Sequence, residues 1–136
     1  MIISGKGVSR TNISEDALIN TTDLFATIID IAGASVTEIN DSKSFKELFI
    51  DENGTKRNYI YSEIGKDNGS SDYTIRNNTH KYIKFDNGNE VLYNLSINPM
   101  ESPNLLHVNQ LPLSSSDEAI KKTIMWNEYF SMVQYT

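Results

Sequence analysis

The side chains able to do chemistry are few and scattered. The two histidines, His80 and His107, show no metal-ligand spacing, and the absence of cysteine removes disulfides, thiolate zinc sites and thiol nucleophiles. Ser62, Ser96 or Ser131 with His80 or His107 would supply a nucleophile and a base, yet none of these serines lies in a Gly-x-Ser-x-Gly elbow. Glu63, Asp72, Glu90 and Glu101 are available for paired-carboxylate chemistry, but no spacing selects a pair and acids default to the surface. Arg76, His80 and Lys81 flank a predicted hairpin and form the one candidate substrate-binding set, a modest anion-contacting patch for a sulfate or phosphate ester. A single Arg and a single Lys on a sheet edge more often serve solubility and discourage edge-to-edge pairing.

Loops give no stronger signal. Gly5-Lys6-Gly7 lacks the flanking glycines, the Lys-Ser/Thr ending and the immediate helix of a phosphate loop, and reads as a turn. Asp67-Asn68-Gly69 and Asp86-Asn87-Gly88 could each lend an oxygen to a divalent cation, but such a site needs several convergent ligands. Asp86 sits where a hairpin needs residues tolerant of positive φ, so a turn is predicted there. Tyr59, Tyr61, Tyr73, Tyr82 and Tyr93 would place phenols on a sheet, where burial with a bonded hydroxyl is commoner than sugar stacking. No metal and no catalytic residue is assigned to this chain.

At 136 residues the chain can form one stable domain without covalent staples. A formal charge of −6 and the lack of a Lys/Arg cluster argue against a nucleic-acid or anionic-membrane partner. No apolar run is long enough to span a bilayer, and Met1 to Gly5 is too short for a signal peptide. The chain opens on Ile2-Ile3 with no polar lead-in, which reads as a strand entered partway through a larger, truncated fold. Sequons include those beginning at Asn12, Asn20, Asn53, Asn68, Asn77 and Asn94, most of them coincidental in so Asn-, Ser- and Thr-rich a chain.

The positioning elements follow from periodicity. Ile2-Ile3-Ser4 is predicted as a strand and Gly5-Lys6-Gly7 as a turn. A helix then begins near Thr21 or Thr22 as cap, with Asp23 in its first turn, Leu24, Phe25, Ile28, Ile29 and Ala32 on one face, and Gly33 as a left-handed stop. That stripe should pack on a sheet containing Ile2-Ile3. Phe45, Leu48 and Phe49 share a face of a short helical turn, closed by Asp51-Glu52-Asn53-Gly54. Asn58–Glu63, Tyr73–Arg76, Lys81–Phe85 and Glu90–Tyr93 read as four strands of an antiparallel meander joined by tight turns. Ser115-Ser116-Asp117-Glu118 matches a capping box, and Ile120 and Ile124 begin a helix to about Met132 that should cover the sheet. Trp126, Tyr129 and Phe130 spread widely around it. The fold class is α+β, with residues 1–40 as an edge strand and helix and residues 41–136 as the sheet subdomain.

Glu90 to Leu95 alternates as a half-buried strand and Asn98-Pro99 stops it; together with Tyr93 to Leu106 this resembles the strand-ending tyrosine and turn near the carboxyl end of sulfatases. Ile2–Val8, Asn20–Gly33, Asp41–Phe45, and Thr74–Arg76 with Lys81–Ile83 occur in the same order as in that family, which belongs to the alkaline phosphatase superfamily. Ala26 stands where a proline commonly precedes the threonine, and Asn94 and Asn98 where aspartates are frequent. The resemblance implies the carboxyl-terminal part of a sulfatase-like hydrolase, with residues 1–40 drawn from the edge of a catalytic α/β domain. It also implies a parent that hydrolyses sulfate esters with a formylglycine, made within a Cys/Ser-x-Pro/Ala-x-Arg motif, and a calcium-type metal. Both would lie upstream, and the two Asp-Asn-Gly triplets are out of order for the metal role. The implied partners are the missing N-terminal catalytic domain and, for the parent only, a sulfated substrate with carbohydrate among the candidates. A periplasmic or secreted parent and a homo-oligomer through an exposed apolar helix are further expectations. The alternatives are a stand-alone carbohydrate- or protein-binding module, or the equivalent part of a related phosphoesterase. Burial of the Leu24, Phe25, Ile28 and Ile29 face would favour the module and exposure the fragment.

Overall fold

The computed structural model describes residues 1–36, 41–65 and 69–133, with side chains to residue 124. It comprises two compact units, Met1–Asn58 and Tyr59–Thr136.

In the first unit, helix α1 (Asp23–Ala32) starts after Thr22, which makes no side-chain cap bond; the Asp23 carboxylate accepts the Asn20 N–H at 2.7 Å instead. Gly33 closes the helix at φ 64°, the left-handed conformation that favours glycine, and donates its N–H to the Asp30 carbonyl. A 3₁₀ turn (Lys46–Phe49) follows, with Phe45 and Phe49 edge to face at 6.0 Å between ring centroids. The side of α1 that is buried carries Asp23, Ala26 and Thr27, not the large apolar stripe. Hydrogen bonds decide this: Ser42 Oγ accepts the Ala26 N–H at 2.9 Å and donates to the Thr22 carbonyl, while Thr27 Oγ1 accepts the Phe45 N–H at 3.1 Å. Leu24, Phe25 and Ile28 stay exposed, contrary to the expected packing on a local sheet.

The expected Ile2-Ile3 strand does not form, because a strand requires a ladder partner and residues 1–4 bond to no described backbone. The isolated bridge of this unit joins Leu18 to Arg57. The division after residue 40 also shifts: Ser42, Lys43, Phe45 and Arg57 all bond to α1 or its flanks, so residues 41–58 belong with the first unit.

The second unit is the predicted meander, α+β with its covering helix. Strands β1 (Ile60–Gly65), β2 (Ser71–Arg76), β3 (His80–Lys84) and β4 (Glu90–Asn94) lie in the order β1-β2-β3-β4, each pair antiparallel. Register aligns Tyr61, Ile75, Tyr82 and Leu92 across all four strands. Since successive side chains alternate faces, that row and its i±2 neighbours form one surface. Helix α2 (Ser115–Val133) covers it, placing Ile124 with Ile75, Tyr82 and Leu92 in a buried cluster flanked by Leu105, Leu106 and Ile120. The cap of α2 lies one residue earlier than predicted: Ser114 Oγ accepts the Asp117 N–H at 3.1 Å and donates to Asp117 Oδ2 at 2.5 Å. Asp86 to Asn89 makes the predicted tight turn, with Gly88 at φ 84° and the Phe85 N–H on the Asn89 carbonyl. The Asp67-Asn68 part of the other triplet lies outside the described residues, as do the side chains of Trp126, Tyr129, Phe130 and Ser131.

Candidate functional site

Arg76, His80 and Lys81 surround the β2–β3 turn but do not converge. Arg76 and Lys81 are cross-strand partners on one face, whereas His80, adjacent to Lys81, points to the opposite, helix-covered face. His80 is 3% exposed and both ring nitrogens are engaged, Nδ1 with Thr79 Oγ1 at 2.9 Å and Nε2 with Asp117 Oδ1 at 2.8 Å. Asn94 Nδ2 donates to the same Asp117 oxygen at 3.2 Å, so one carboxylate ties the start of α2 to β3 and β4. The Ser114 hydroxyl, and after it His80 and Asn94, hold the Asp117 carboxyl below the usual range against the opposing effect of burial. Lys81 Nζ reaches Glu101 at 2.8 and 3.0 Å. Arg76 is exposed and free of ion pairs among the described residues.

The other candidates have structural partners. Ser62 and Ser96 bond neither histidine, and His107 Nδ1 accepts the Asn109 N–H. Tyr61 donates to Glu63, whose carboxyl is held low by bonds from Ser71 and Tyr61. Glu90 pairs with Lys121 at 3.0 Å, and Asp72 accepts the Asp86 N–H at 2.9 Å. Among the described residues no three His, Asp or Glu side chains gather as a metal site. The tyrosines pack at the sheet, Tyr61 and Tyr73 stacked at 6.2 Å and Lys84 Nζ 5.9 Å from the Tyr73 centroid.

A buried ion pair lies in the first unit, between Asp23, read from sequence only as a first-turn helix acid, and Arg57, which was not singled out. Asp23, almost fully buried, receives Arg57 Nε at 2.8 Å and Nη2 at 2.5 Å, plus the Asn20 and Lys43 N–H groups at 2.7 and 2.9 Å. Arg57 also bonds the Asp41 carbonyl and carboxylate. Burial drives the Asp23 carboxyl up, but the guanidinium and the two amides outweigh it and hold it low. The first-turn acid is legible in the sequence; its partner 34 residues away carries no local signal.

The fold is that of sulfatase carboxyl-terminal regions. It superposes on a solved 2-O GAG sulfatase with a TM-score of 0.75 at 21% identity, over 96% of this chain and 29% of that one. A protein solved in complex with its substrate D-glucosamine-2-N,6-O-disulfate gives 0.64 at 23% identity, over 83% of this chain and 24% of that one. Residues 1–126 match the family described as N-sulphoglucosamine sulphohydrolase, C-terminal, and the chain belongs to that family. Arylsulfatase K from Bos taurus is 28% identical over 135 residues, 91% of this chain, and a sulfatase from Formosa agariphila is 24% identical over 106 residues, 78% of it. The chain spans only 25% and 20% of those relatives.

Proposed function

We propose that this chain is the carboxyl-terminal portion of a sulfatase-like hydrolase and is not itself catalytic. The carrying observation is the family match over residues 1–126, for a region that spans a fifth to a quarter of its curated relatives. In the parent, a formylglycine and a calcium-type cation would supply metal-assisted hydrolysis of a sulfate ester. The residues present do not fit either group, since the sequence holds no Cys/Ser-x-Pro/Ala-x-Arg motif and its described acids and histidines do not converge. The chemistry is accordingly assigned to upstream polypeptide, and no step is routed through this chain.

The exposed Leu24, Phe25 and Ile28 side chains favour this reading over a self-contained binding module, whose apolar stripe would be covered internally. A sulfated sugar is the substrate class best supported for the parent, given the disulfated glucosamine bound by the solved protein of the same fold. Of the candidate residues, this reading keeps Arg76 for contact with an anion, because Lys81 is occupied by Glu101 and His80 is buried. A periplasmic or secreted parent is part of the same proposal. In an aryl-sulfate assay with calcium, the isolated chain is expected to show no turnover. Robust turnover abolished by a point change within these 136 residues would overturn the proposal.

A further inference from the structure

The two edges of the meander are finished differently. At β4 the Leu92 N–H donates to Asn104 Oδ1 at 3.1 Å and the Leu92 carbonyl accepts the Leu105 N–H at 2.9 Å, so the chain covers its own last edge. At β1 the pairing stops: among the described residues Ile60–Gly65 joins β2 and no other segment. Half the backbone N–H and C=O groups of such a strand face outward, and an open edge of this kind is usually blunted by proline, lysine or a bulge. Here the strand reads Ile-Tyr-Ser-Glu-Ile-Gly and pairs residue for residue with Ser71–Arg76. Ser62, Glu63 and Ile64 are exposed, Ile64 by 70%.

An open edge accepts another strand, and the side chains of β1 select a second β1. Two copies related by a two-fold axis perpendicular to the sheet pair antiparallel, and residues directly opposite share a face. An axis at Ser62 sets Ser62 against its own counterpart, Ile64 against Ile60 and Glu63 against Tyr61. An axis at Glu63 would oppose two carboxylates, and an axis at Tyr61 would leave Ile64 with no β1 residue opposite. The Ser62 register alone separates the acids while giving the exposed isoleucine an apolar neighbour. Tyr61 already donates to Glu63 within one chain at 3.0 Å, so phenol and carboxylate suit each other on that face. The isoleucines meet on the other face, away from the Tyr61, Ile75, Tyr82 and Leu92 row that α2 covers.

We infer that β1 is a self-association surface: two chains pair their β1 strands antiparallel about Ser62 and join their sheets into one. The contact is short, so the dimer is a weak one. It is distinct from the exposed stripe of α1 and does not rest on the proposed function.

The test uses the whole chain carrying Ile28→Lys, which charges the α1 stripe so that association through that helix does not enter the readout. Sedimentation velocity from about 10 µM to about 1 mM should show the 15.4 kDa chain doubling in mass. Ser62→Lys and Ser62→Glu each place like charges directly opposite and should stay monomeric, whereas an equimolar mixture of the two should regain the dimer. Because the sequence has no cysteine, single thiols report the register directly. Two Ser62→Cys α-carbons would lie about 4.5–5.5 Å apart, within disulfide reach. Two Ile64→Cys residues would be offset by about 13 Å along the strands, so mild oxidation should cross-link the first variant about tenfold more than the second. Recovery of the dimer by the mixture upholds the inference and shows that both charged variants fold. A chain that stays monomeric throughout, a dimer that both charged variants retain, a mixture that fails to associate, or equal cross-linking at the two positions would each overturn it.

Discussion

Replacing Arg57 with methionine keeps much of its aliphatic bulk and removes the guanidinium that faces Asp23. The arginine side chain is 8% and the aspartate side chain 2% exposed, so water cannot readily replace the lost partner. Two of the four bonds to the Asp23 carboxylate vanish, leaving the Asn20 and Lys43 N–H groups. Stranding one member of a buried pair costs about 3–5 kcal/mol, and that loss is expected at neutral pH. The sign with pH follows from Asp23. Its folded pKa is depressed, so in the native chain the contribution is present above the unfolded value and is lost as pH falls through the folded one, below about pH 4. Without Arg57, burial is opposed only by the Asn20 and Lys43 amides, so that pKa is expected to rise and acid to neutralise the stranded carboxylate earlier. The gap between native chain and variant should therefore shrink as pH drops from 7 toward 4. Urea titration followed by α1 amide exchange measures it. A loss under about 1 kcal/mol at pH 7 would refute the reasoning, as would a gap that stays constant on acidification.

Ile124→Ala opens a void beneath Tyr82 and Leu92 and is expected to cost about 2–5 kcal/mol in urea unfolding followed by the fluorescence of the single tryptophan, Trp126. Asp117→Asn weakens the bonds joining α2 to His80 and Asn94 and should lose about 1–3 kcal/mol near neutrality; because the native carboxyl is held low, the native chain should lose this advantage only below about pH 4, readable by helical circular dichroism. Gly54→Ala would bring a Cβ to 2.8 Å from Glu47 Cβ and 2.9 Å from the backbone of Glu47 and Leu48. It is expected to destabilise the first unit by about 1–3 kcal/mol, with the loss seen as faster amide exchange around the Lys46–Phe49 turn.

What was readable from the residues is what local periodicity controls. Alternation around Tyr61, Ile75, Tyr82 and Leu92 specified a half-buried meander, Gly88 its hairpin turn, and Gly33 the end of α1, because these depend on neighbours a few residues away. The run of similar segments likewise identified the sulfatase family. Other outcomes depend on residues far apart in the chain. Ser42, 16 positions from Ala26, turned the small side of α1 inward and left its large side chains outside. Strand alternation sent His80 beneath α2 and Lys81 to the far face, dissolving a cluster that looked contiguous on paper. Ile2 and Ile3 have the composition of a strand but no ladder, since pairing belongs to two segments and composition to one. Arg57 finds Asp23 only once the loop from Asp41 is folded against α1, a closure that no sequence window contains.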